Sequence, residues 1–160
     1  MVSIARRTGS RNLFHTSTYR NRVRRILKIL EQSESELSIL LTNDREIEAL
    51  NRQYRAKIGP TDVLSFPQSS TAASPFAPIL GDIVMSLDTV ERQAKGGCLA
   101  RIQKVLGQRG THWSALDEAT FLTLHGVLHL LGHDHEFPEE AERMETLEAI
   151  SIVEILRHTR

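Results

Sequence analysis

The chain has 160 residues, enough for one domain with a single hydrophobic core and too few for two full-sized globular units. Its 20 basic and 20 acidic side chains give a formal net charge of zero, which argues against a strongly basic nucleic-acid binder. Its single cysteine, Cys98, cannot form an internal disulfide, and no apolar run reaches the roughly 18 residues that a membrane span requires. We therefore expect residues 1–160 to form one domain in a reducing compartment.

Four short segments have the composition of β-strands. Val2 and Ile4 alternate with smaller residues, which is typical of a short strand. Three later segments are apolar and rich in strand formers, and Pro67 ends the second of them because proline cannot donate a hydrogen bond to a sheet. The four predicted strands are residues 2–5, 36–42, 62–66 and 80–86.

Helical spacing of apolar residues marks the segments between and after these strands. Asn43 stands three residues before Glu46, an arrangement that caps the start of a helix. That helix is predicted to pack Ile47, Leu50 and Tyr54 on one inward face. The predicted helices are residues 19–30, 44–55, 87–96, 98–106, 120–131 and 139–156, and residues 68–78 form a loop by composition. In the last helix the residues expected to face inward are Met144, Leu147, Ile150 and Ile155. Strands that alternate with helices predict a small sheet covered by helices.

The net charge of zero is unevenly distributed along the chain. The first 30 residues carry eight basic side chains and no acidic one, so the remaining 130 residues carry a net charge of −8. The basic segment could contact phosphate, serve as an Arg-rich leader for mitochondrial import, or form a solvated helix face. A strand at residues 2–5 argues against a leader, because cleavage would remove part of the sheet. We therefore expect a bacterial cytoplasmic protein rather than a mitochondrial one.

Five of the seven histidines lie between His112 and His135. His125 and His129 are four residues apart on a predicted apolar helix, so both imidazoles project from one face. Gly132 can adopt a positive φ, end the helix and turn the chain back, which would deliver His135 as a third ligand. Three imidazoles leave one tetrahedral position open for water, the layout of a catalytic zinc site. The segment predicts a zinc site at the end of an apolar helix, although nickel or iron would accept the same ligands.

The spacing of these residues matches a known metal-binding pattern in part. The long zinc-protease signature has histidines at i, i+4 and i+10 and a glycine at i+7, and all four positions match when i is His125. At i+1 the protease has its general-base glutamate, whereas this chain has Gly126. The ligand set is therefore expected to be intact, and the peptidase base is missing.

Four blocks of sequence together resemble the YbeY family of metal-dependent endoribonucleases. They are LNRQYR at 50–55, PTDVLSFP at 60–67, GDIVMS at 81–86 and HGVLHLLGHDH at 125–135, and they occur in the family's order. The resemblance runs from about residue 37 through the last helix and implies an α+β fold with a small mixed sheet flanked by helices. It also implies a zinc ion held by three histidines and single-strand-specific RNA cleavage. In bacteria the family's work is 16S ribosomal RNA 3′-end maturation and ribosome quality control.

The resemblance also implies roles for individual residues. His125, His129 and His135 resemble the family's metal ligands, and Arg55 resembles its functional arginine. The planar guanidinium of an arginine suits a phosphate, because it donates two parallel hydrogen bonds. The alternative for Arg55 is a surface arginine that stabilises a helix end. Lys57 is a second candidate phosphate contact.

Four further residues are candidates for supporting roles. Thr61 and Asp62 open a strand and could bond a ligand histidine, although Asp62 could equally be a turn residue. Asp134 could orient a ligand, accept a proton or support the turn. His133 departs from the family, which usually has tyrosine there, and it could act as an acid or base or compete as a ligand. The general base stays open between a metal hydroxide, His133, Asp134 and the 2′-hydroxyl of the RNA.

Three classes of function follow from these observations. The leading one is a zinc-dependent endoribonuclease, with single-stranded ribosomal RNA as substrate, the ribosome as a possible partner and no membrane. A zinc peptidase is disfavoured by Gly126, and a metal-stabilised ribosome-binding module without catalysis is the third. If the basic helix of residues 19–30 flanks the histidines, it would steer RNA to that face of the molecule.

Overall fold

The protein is described by a computed structural model that covers residues 1–68, 78–96, 113–135 and 137–157. The strands are β1 (Val2–Arg6), β2 (Glu36–Thr42), β3 (Val63–Pro67) and β4 (Ile79–Ser86), and the helices are α1 (Thr16–Ile29), α2 (Asp44–Arg55), α3 (Leu87–Gly96), α4 (Ala115–Leu130) and α5 (Pro138–Arg157). Most of the predicted loop at 68–78 and the predicted helix at 98–106 lie outside the described residues. Across the described ranges, the helices are too short or too polar to cross a membrane.

The strands form one open sheet in the order β1-β2-β4-β3. Strands β1, β2 and β4 run parallel to one another. Strand β3 pairs antiparallel with β4, with Leu64 opposite Val84. The sheet is therefore mixed, as the resemblance implied, and β3 is an edge strand. The first strand extends one residue beyond the predicted range, to Arg6.

Both faces of the sheet are covered, but unequally. The larger hydrophobic core lies between one face and the helices α1, α3, α4 and α5. On the opposite face α2 is the one helix of the described ranges that covers the sheet, and its Ile47 packs against Leu64 and Val84. Because side chains alternate along a strand, Ile83 belongs to the larger core while its neighbour Val84 belongs to the smaller one. The predicted α+β fold with a four-stranded mixed sheet covered by helices is confirmed.

The start of α4 differs from the prediction. The helix begins at Ala115 rather than at residue 120, because Ser114 and Asp117 form a capping box. The Ser114 side chain accepts a hydrogen bond from the Asp117 backbone N–H, and the Asp117 carboxylate accepts one from the Ser114 N–H. The predicted cap of α2 is confirmed, since Asn43 Oδ1 accepts from the Glu46 N–H at 3.0 Å.

Two residues that were predicted to face inward do not. Tyr54, in the last turn of α2, is 60% exposed, and its ring contacts Phe66 at the edge of the sheet. Ile150, in α5, is 65% exposed, and the buried stripe of that helix instead includes Glu148. A carboxylate in an apolar stripe requires a partner, and this residue is part of the candidate site described next.

Candidate metal centre and cleft

Three histidines meet at the C-terminal end of α4. His125 and His129 lie one turn apart on the helix, and their Nε2 atoms are 3.1 Å apart. His135 lies beyond the helix end, with its ring centroid 5.0 Å from that of His129. One ligand atom from each of the three rings lies within 4.8 Å of the others. The three histidines predicted from their spacing in the sequence therefore lie close together in the structure.

A glycine turn brings the third histidine into this cluster. Gly132 has a φ of +90°, a conformation that residues with a Cβ rarely adopt. Its N–H donates to the His129 carbonyl, and the His133 N–H donates to the Leu128 carbonyl, both at 3.0 Å. These two bonds form the Schellman arrangement that ends many helices. The prediction that Gly132 ends the helix and returns the chain toward the histidines is confirmed.

A buried carboxylate from α5 holds one of the histidines. Glu148, 4% exposed, accepts a hydrogen bond from His125 Nδ1 at 2.6 Å. Because Nδ1 is the donor, the lone pair of His125 is on Nε2, the atom that faces His129. Histidines that bind metal typically donate their other ring N–H to such a carboxylate. Glu148 was not among the site residues predicted from the sequence.

The electrostatic surroundings keep His129 neutral. Burial lowers the pKa of His129, and the nearby imidazoles of His125 and His135 lower it further. Asp134 acts in the opposite direction but is outweighed. Since a metal ion binds the neutral form of imidazole, this shift favours metal uptake near neutral pH.

The donor set fits a tetrahedral metal ion. Zn–N bonds of about 2.0–2.1 Å at tetrahedral angles place two ligand nitrogens about 3.3 Å apart, close to the 3.1 Å between His125 Nε2 and His129 Nε2. The third donor comes from the more exposed His135. Three imidazoles with one open side are typical of catalytic rather than structural zinc sites. His125, His129 and His135 could thus hold a metal ion.

The histidines line an open cleft of about 500 Å³. One wall is formed by the end of α2, the loop that follows it and β3, and the other by the end of α4. The cleft is lined by Arg55, Lys57, Thr61, Asp62, Val63, Ser65, His125, His129, Asp134 and His135. The structure therefore brings every predicted site residue except His133 to one cavity.

Two basic residues on one wall of the cleft are held in place by the end of α2. Arg55 is the last helical residue, and Ala56 then adopts a left-handed φ of 53° that turns the chain toward Lys57. The buried Asn51 fixes this turn, because its side chain donates to the Gly59 carbonyl at 3.0 Å. Within the described part of the chain, the Arg55 side chain has no acidic partner. Its charge is thus available to an anion in the cleft.

Asp62 has partners other than the histidines. Its carboxylate accepts hydrogen bonds from the Val63 N–H at 2.8 Å, from the Thr61 hydroxyl at 3.3 Å and from Gln93 at 3.1 Å. These contacts match the turn residue that the sequence allowed. The carboxylate bonded to a ligand histidine is Glu148 instead.

Between Gly132 and His135, Asp134 lines both the cleft and a groove beside α5, whereas His133 lines the groove and not the cleft. Asp134 lines the cleft and accepts a hydrogen bond from the His135 N–H at 2.7 Å, so it also supports the turn. His133 lines a separate groove beside α5 and lies outside the cluster of three histidines. This arrangement does not favour His133 as a competing ligand.

Gly126 occupies a closely packed position. A Cβ there would lie 3.0 Å from Ile83 Cδ1 and 3.0 Å from Ser65 Oγ, because α4 crosses the sheet at this point. The Ser65 hydroxyl also donates to the Gly126 carbonyl at 3.2 Å. A glutamate at this position would require Ile83 and Ser65 to shift, so the close packing adds to the missing carboxylate as an argument against a peptidase base here.

The basic helix α1 does not line the cleft. It packs against the N-terminal half of α4, where Arg22 contacts Asp117 and Thr120, and Arg25 reaches the Ile155 carbonyl near the end of α5. The hypothesis that this helix flanks the histidines finds no support in this placement. Positive charge beside the histidines comes from Arg55 and Lys57.

These features define a small α+β protein with a candidate metal centre of three histidines in an open, basic-walled cleft. The model of the family described as endoribonuclease YbeY matches residues 4–156. The chain is 39% identical to an endoribonuclease YbeY of Geobacter metallireducens over 150 residues, which cover 92% of this chain and 90% of that one. This chain belongs to the endoribonuclease YbeY family.

Other relatives are longer than this chain. It is 43% identical to an endoribonuclease YbeY of Anaeromyxobacter sp. over 81% of its own length, and 45% identical to that of Myxococcus xanthus over 74%. The matched segments span 59% and 36% of those two relatives. The solution structure of TM1509 from Thermotoga maritima has a similar fold, with a TM-score of 0.55 and 23% identity, over 99% of this chain and 93% of that one.

Proposed function

We propose that this protein is a metal-dependent endoribonuclease that cleaves single-stranded RNA, with His125, His129 and His135 as ligands of one zinc ion. The observation that carries the proposal is the convergence of these histidines in a cleft whose opposite wall presents Arg55 and Lys57. Family membership supports the reaction class, since the relatives bear the name endoribonuclease. Imidazole ligands and an open fourth side favour zinc, although nickel or iron would accept the same donors.

The chain's own residues supply binding, orientation and charge. When bound, the ion would supply Lewis acidity at the phosphoryl group and activate water for attack. Arg55 binds the phosphate and stabilises the negative charge that grows on its oxygens, because its guanidinium can donate two hydrogen bonds to them. Lys57 adds a second positive charge on the same wall, and Glu148 holds His125 with Nε2 directed into the cluster.

Asp134 is the better placed of the two side chains considered as general base. It lines the cleft next to His135, whereas His133 faces the neighbouring groove. A base must lie within hydrogen-bond reach of the proton that it accepts, so position favours Asp134. Thr61 also lines the cleft and offers a hydroxyl to the substrate.

We further propose that the substrate is ribosomal RNA, that the protein acts in 16S 3′-end maturation and ribosome quality control, and that it works in the bacterial cytoplasm. The support is the match to the family blocks in Sequence analysis and the bacterial origin of the relatives. The ribosome or a ribosomal protein is the expected partner. A peptidase is disfavoured by the packing around Gly126.

Metal analysis combined with RNA cleavage tests the proposal. The purified wild type is expected to contain about one metal ion per chain, and His129→Ala about none, because two imidazoles bind far more weakly than three. Arg55→Ala is expected to keep the metal and to cleave single-stranded RNA about 100-fold more slowly, the size expected when one group that stabilises transition-state charge is removed. Double-stranded RNA should resist all of these proteins.

Two matched variants serve as controls. His15→Ala removes an exposed histidine whose side chain makes no cap bond at the start of α1, and Arg52→Ala removes an exposed arginine of α2 that pairs with Glu48 outside the cleft. Both should cleave RNA like the wild type. A metal-free wild type, or equal cleavage by wild type, His129→Ala and Arg55→Ala, would contradict the proposal. Loss of folding without metal, with RNA processing unaffected by Arg55→Ala, would favour the non-catalytic module.

A further inference from the structure

An aromatic pair, of which one ring is exposed and the other partly buried, lies on the other side of β3 from the histidines. Tyr54, at the end of α2, and Phe66, in β3, have ring centroids 5.2 Å apart at an interplanar angle of 73°. Tyr54 is 60% exposed, yet the edge contact with Phe66 holds its ring against the sheet. A large aromatic ring that is fixed but open to solvent is a preformed surface for a flat ligand.

Each residue of this aromatic pair is next in the chain to a residue that lines the cleft. Tyr54 directly precedes Arg55, and Phe66 directly follows Ser65; Arg55 and Ser65 line the cleft. Because side chains alternate along a strand, Ser65 faces α4 while Phe66 faces α2. The edge strand β3 therefore lies between the aromatic pair and the cleft, and an RNA strand that left the cleft at Arg55 and crossed this edge would reach Tyr54.

The groove beside the aromatic pair suits a base and not a phosphate. It measures about 560 Å³ and is lined by Arg7, Leu40, Glu46, Ala49, Leu50, Tyr54, Phe66, Asp82 and Val84. Arg7 lies 3.6 Å from Glu46, and Asp82 accepts a hydrogen bond from Gln68 at 2.8 Å. Two carboxylates and one guanidinium give this groove no excess of positive charge for a phosphate, whereas the aromatic and aliphatic surface favours the face of a nucleobase. The backbone of a bound strand is thus expected to stay with Arg55 and Lys57.

We propose that Tyr54, supported by Phe66, stacks on a base of single-stranded RNA one or two nucleotides from the phosphate held at the histidines. The proposal rests on the proposed function and makes it more specific. Only an unpaired base can turn its face to a protein ring, so the stack selects single-stranded over double-stranded RNA. Stacking tolerates any base, so little sequence preference is expected at this position.

RNA binding by Tyr54 variants tests the proposal. Affinity for a short unstructured RNA oligonucleotide is measured by fluorescence anisotropy with chelator present, so that the RNA stays intact. Tyr54→Leu is expected to bind about tenfold more weakly or worse, because loss of one base stack weakens binding by at least that order, whereas Tyr54→Phe keeps the ring and the affinity. On metal-loaded protein Tyr54→Leu should raise KM by a similar factor and change kcat little. Thermal unfolding checks that each variant is folded.

An abasic scan locates the stacked base. Replacing nucleotides one at a time by abasic residues should weaken binding to the wild type at one position, and Tyr54→Leu should show no such weakening there. Phe137→Leu is the matched control, since Phe137 is also an exposed aromatic, at 65%, and lines neither the groove nor the cleft. It should bind RNA like the wild type.

The outcomes separate this proposal from the proposed function. If Tyr54→Leu binds and cleaves RNA like the wild type while Arg55→Ala cleaves slowly, the stacking proposal is wrong and the nuclease stands. The groove would then be better suited to a protein partner. If Arg55→Ala and His129→Ala also cleave like the wild type, the proposed function itself fails.

Discussion

The polar side chains at the two ends of α4 differ in whether they bond to other side chains of the protein. At the N-terminal end, Arg22 of α1 and Asp117 are both buried and bond each other at 2.6 Å, and the buried Tyr19 bonds Thr123. At the C-terminal end, three imidazoles converge, and among the described residues only His125 has a buried carboxylate partner. The first end pairs its buried charged and hydroxyl side chains with each other, while the second leaves ring nitrogens directed at a common point.

The difference shows how one helix can serve stability and chemistry at once. Buried polar groups that bond each other fix the position of the helix against α1. Donor atoms that converge without pairing remain available to a metal ion and a substrate. Changes at the N-terminal end should therefore alter the free energy of unfolding, and changes at the C-terminal end should alter metal affinity.

The largest expected effect is at the N-terminal end. Arg22→Ala leaves Asp117 buried without its cation, and breaking a buried ion pair in this way costs about 3 kcal/mol of the free energy of unfolding. Denaturant unfolding of the metal-free protein measures this loss. Metal content and cleavage at temperatures well below the unfolding midpoint should stay close to wild type.

A neighbouring arginine provides the control for that measurement. Arg24→Ala changes an exposed residue of the same helix, and its free energy of unfolding should stay within about 0.5 kcal/mol of wild type. If Arg22→Ala instead lost the metal ion and kept its stability, the division between the two ends of α4 would be wrong.

The next effect is at the C-terminal end. Glu148→Gln removes the charged acceptor of His125 Nδ1 while keeping the side-chain size, and metal affinity is expected to fall about 10- to 100-fold, as is typical when such a partner of a ligand histidine is lost. Competition with a chelator of known affinity measures the change.

An exposed glutamate of α5 is the matched control here. Glu145→Gln alters the same helix and the same net charge at a solvent-facing position, and its metal affinity should equal that of the wild type. Equal affinities of wild type and Glu148→Gln would show that the 2.6 Å contact does not position His125 for metal.

The smallest expected effect is on the pH dependence of the free energy of unfolding, through Asp117 at the N-terminal end of α4. Burial acts to raise the pKa of Asp117, but the hydrogen bonds from Ser114 and Arg22 outweigh it and the net pKa is lowered. A lowered pKa stabilises the fold above the unfolded value of about 3.9, and this stability is lost as pH falls through the folded pKa. Wild type should therefore lose stability below about pH 4 more steeply than Asp117→Asn, by at most about 1.4 kcal/mol per pH unit. Parallel acid unfolding curves for the two proteins would contradict this.

Local signals in the sequence were sufficient for most of the fold. The four strands could be predicted because apolar, β-branched runs end at prolines, glycines or a capped helix start. The start of α4 was missed because Asp117 and Glu118 resemble loop residues by polarity. Their burial depends on Arg22, which lies 95 residues from Asp117 in the chain, and on Trp113, whose indole N–H donates to Glu118 at 2.6 Å.

The part of the candidate site that depends on residue spacing along one helix could be predicted from the sequence. His125, His129 and Gly132 lie within one helix and its end, so helical geometry alone placed two rings together and turned the chain toward His135. Glu148 was not predicted, because its contact with His125 depends on how α5 packs against α4. The available signal was its place in the buried stripe of α5, where an unpaired carboxylate would be costly.

The turn at Gly132 also affects how strongly a metal ion can be held. Its two backbone hydrogen bonds join atoms of the helix end to one another, so the fold itself closes the segment between His129 and His135. Little conformational entropy is then lost when the third imidazole joins the other two. A residue with a Cβ at this position would strain the turn and open the segment, and the binding free energy of the ion would have to order it again. Gly132 thus sets the affinity of a site to which it contributes no ligand.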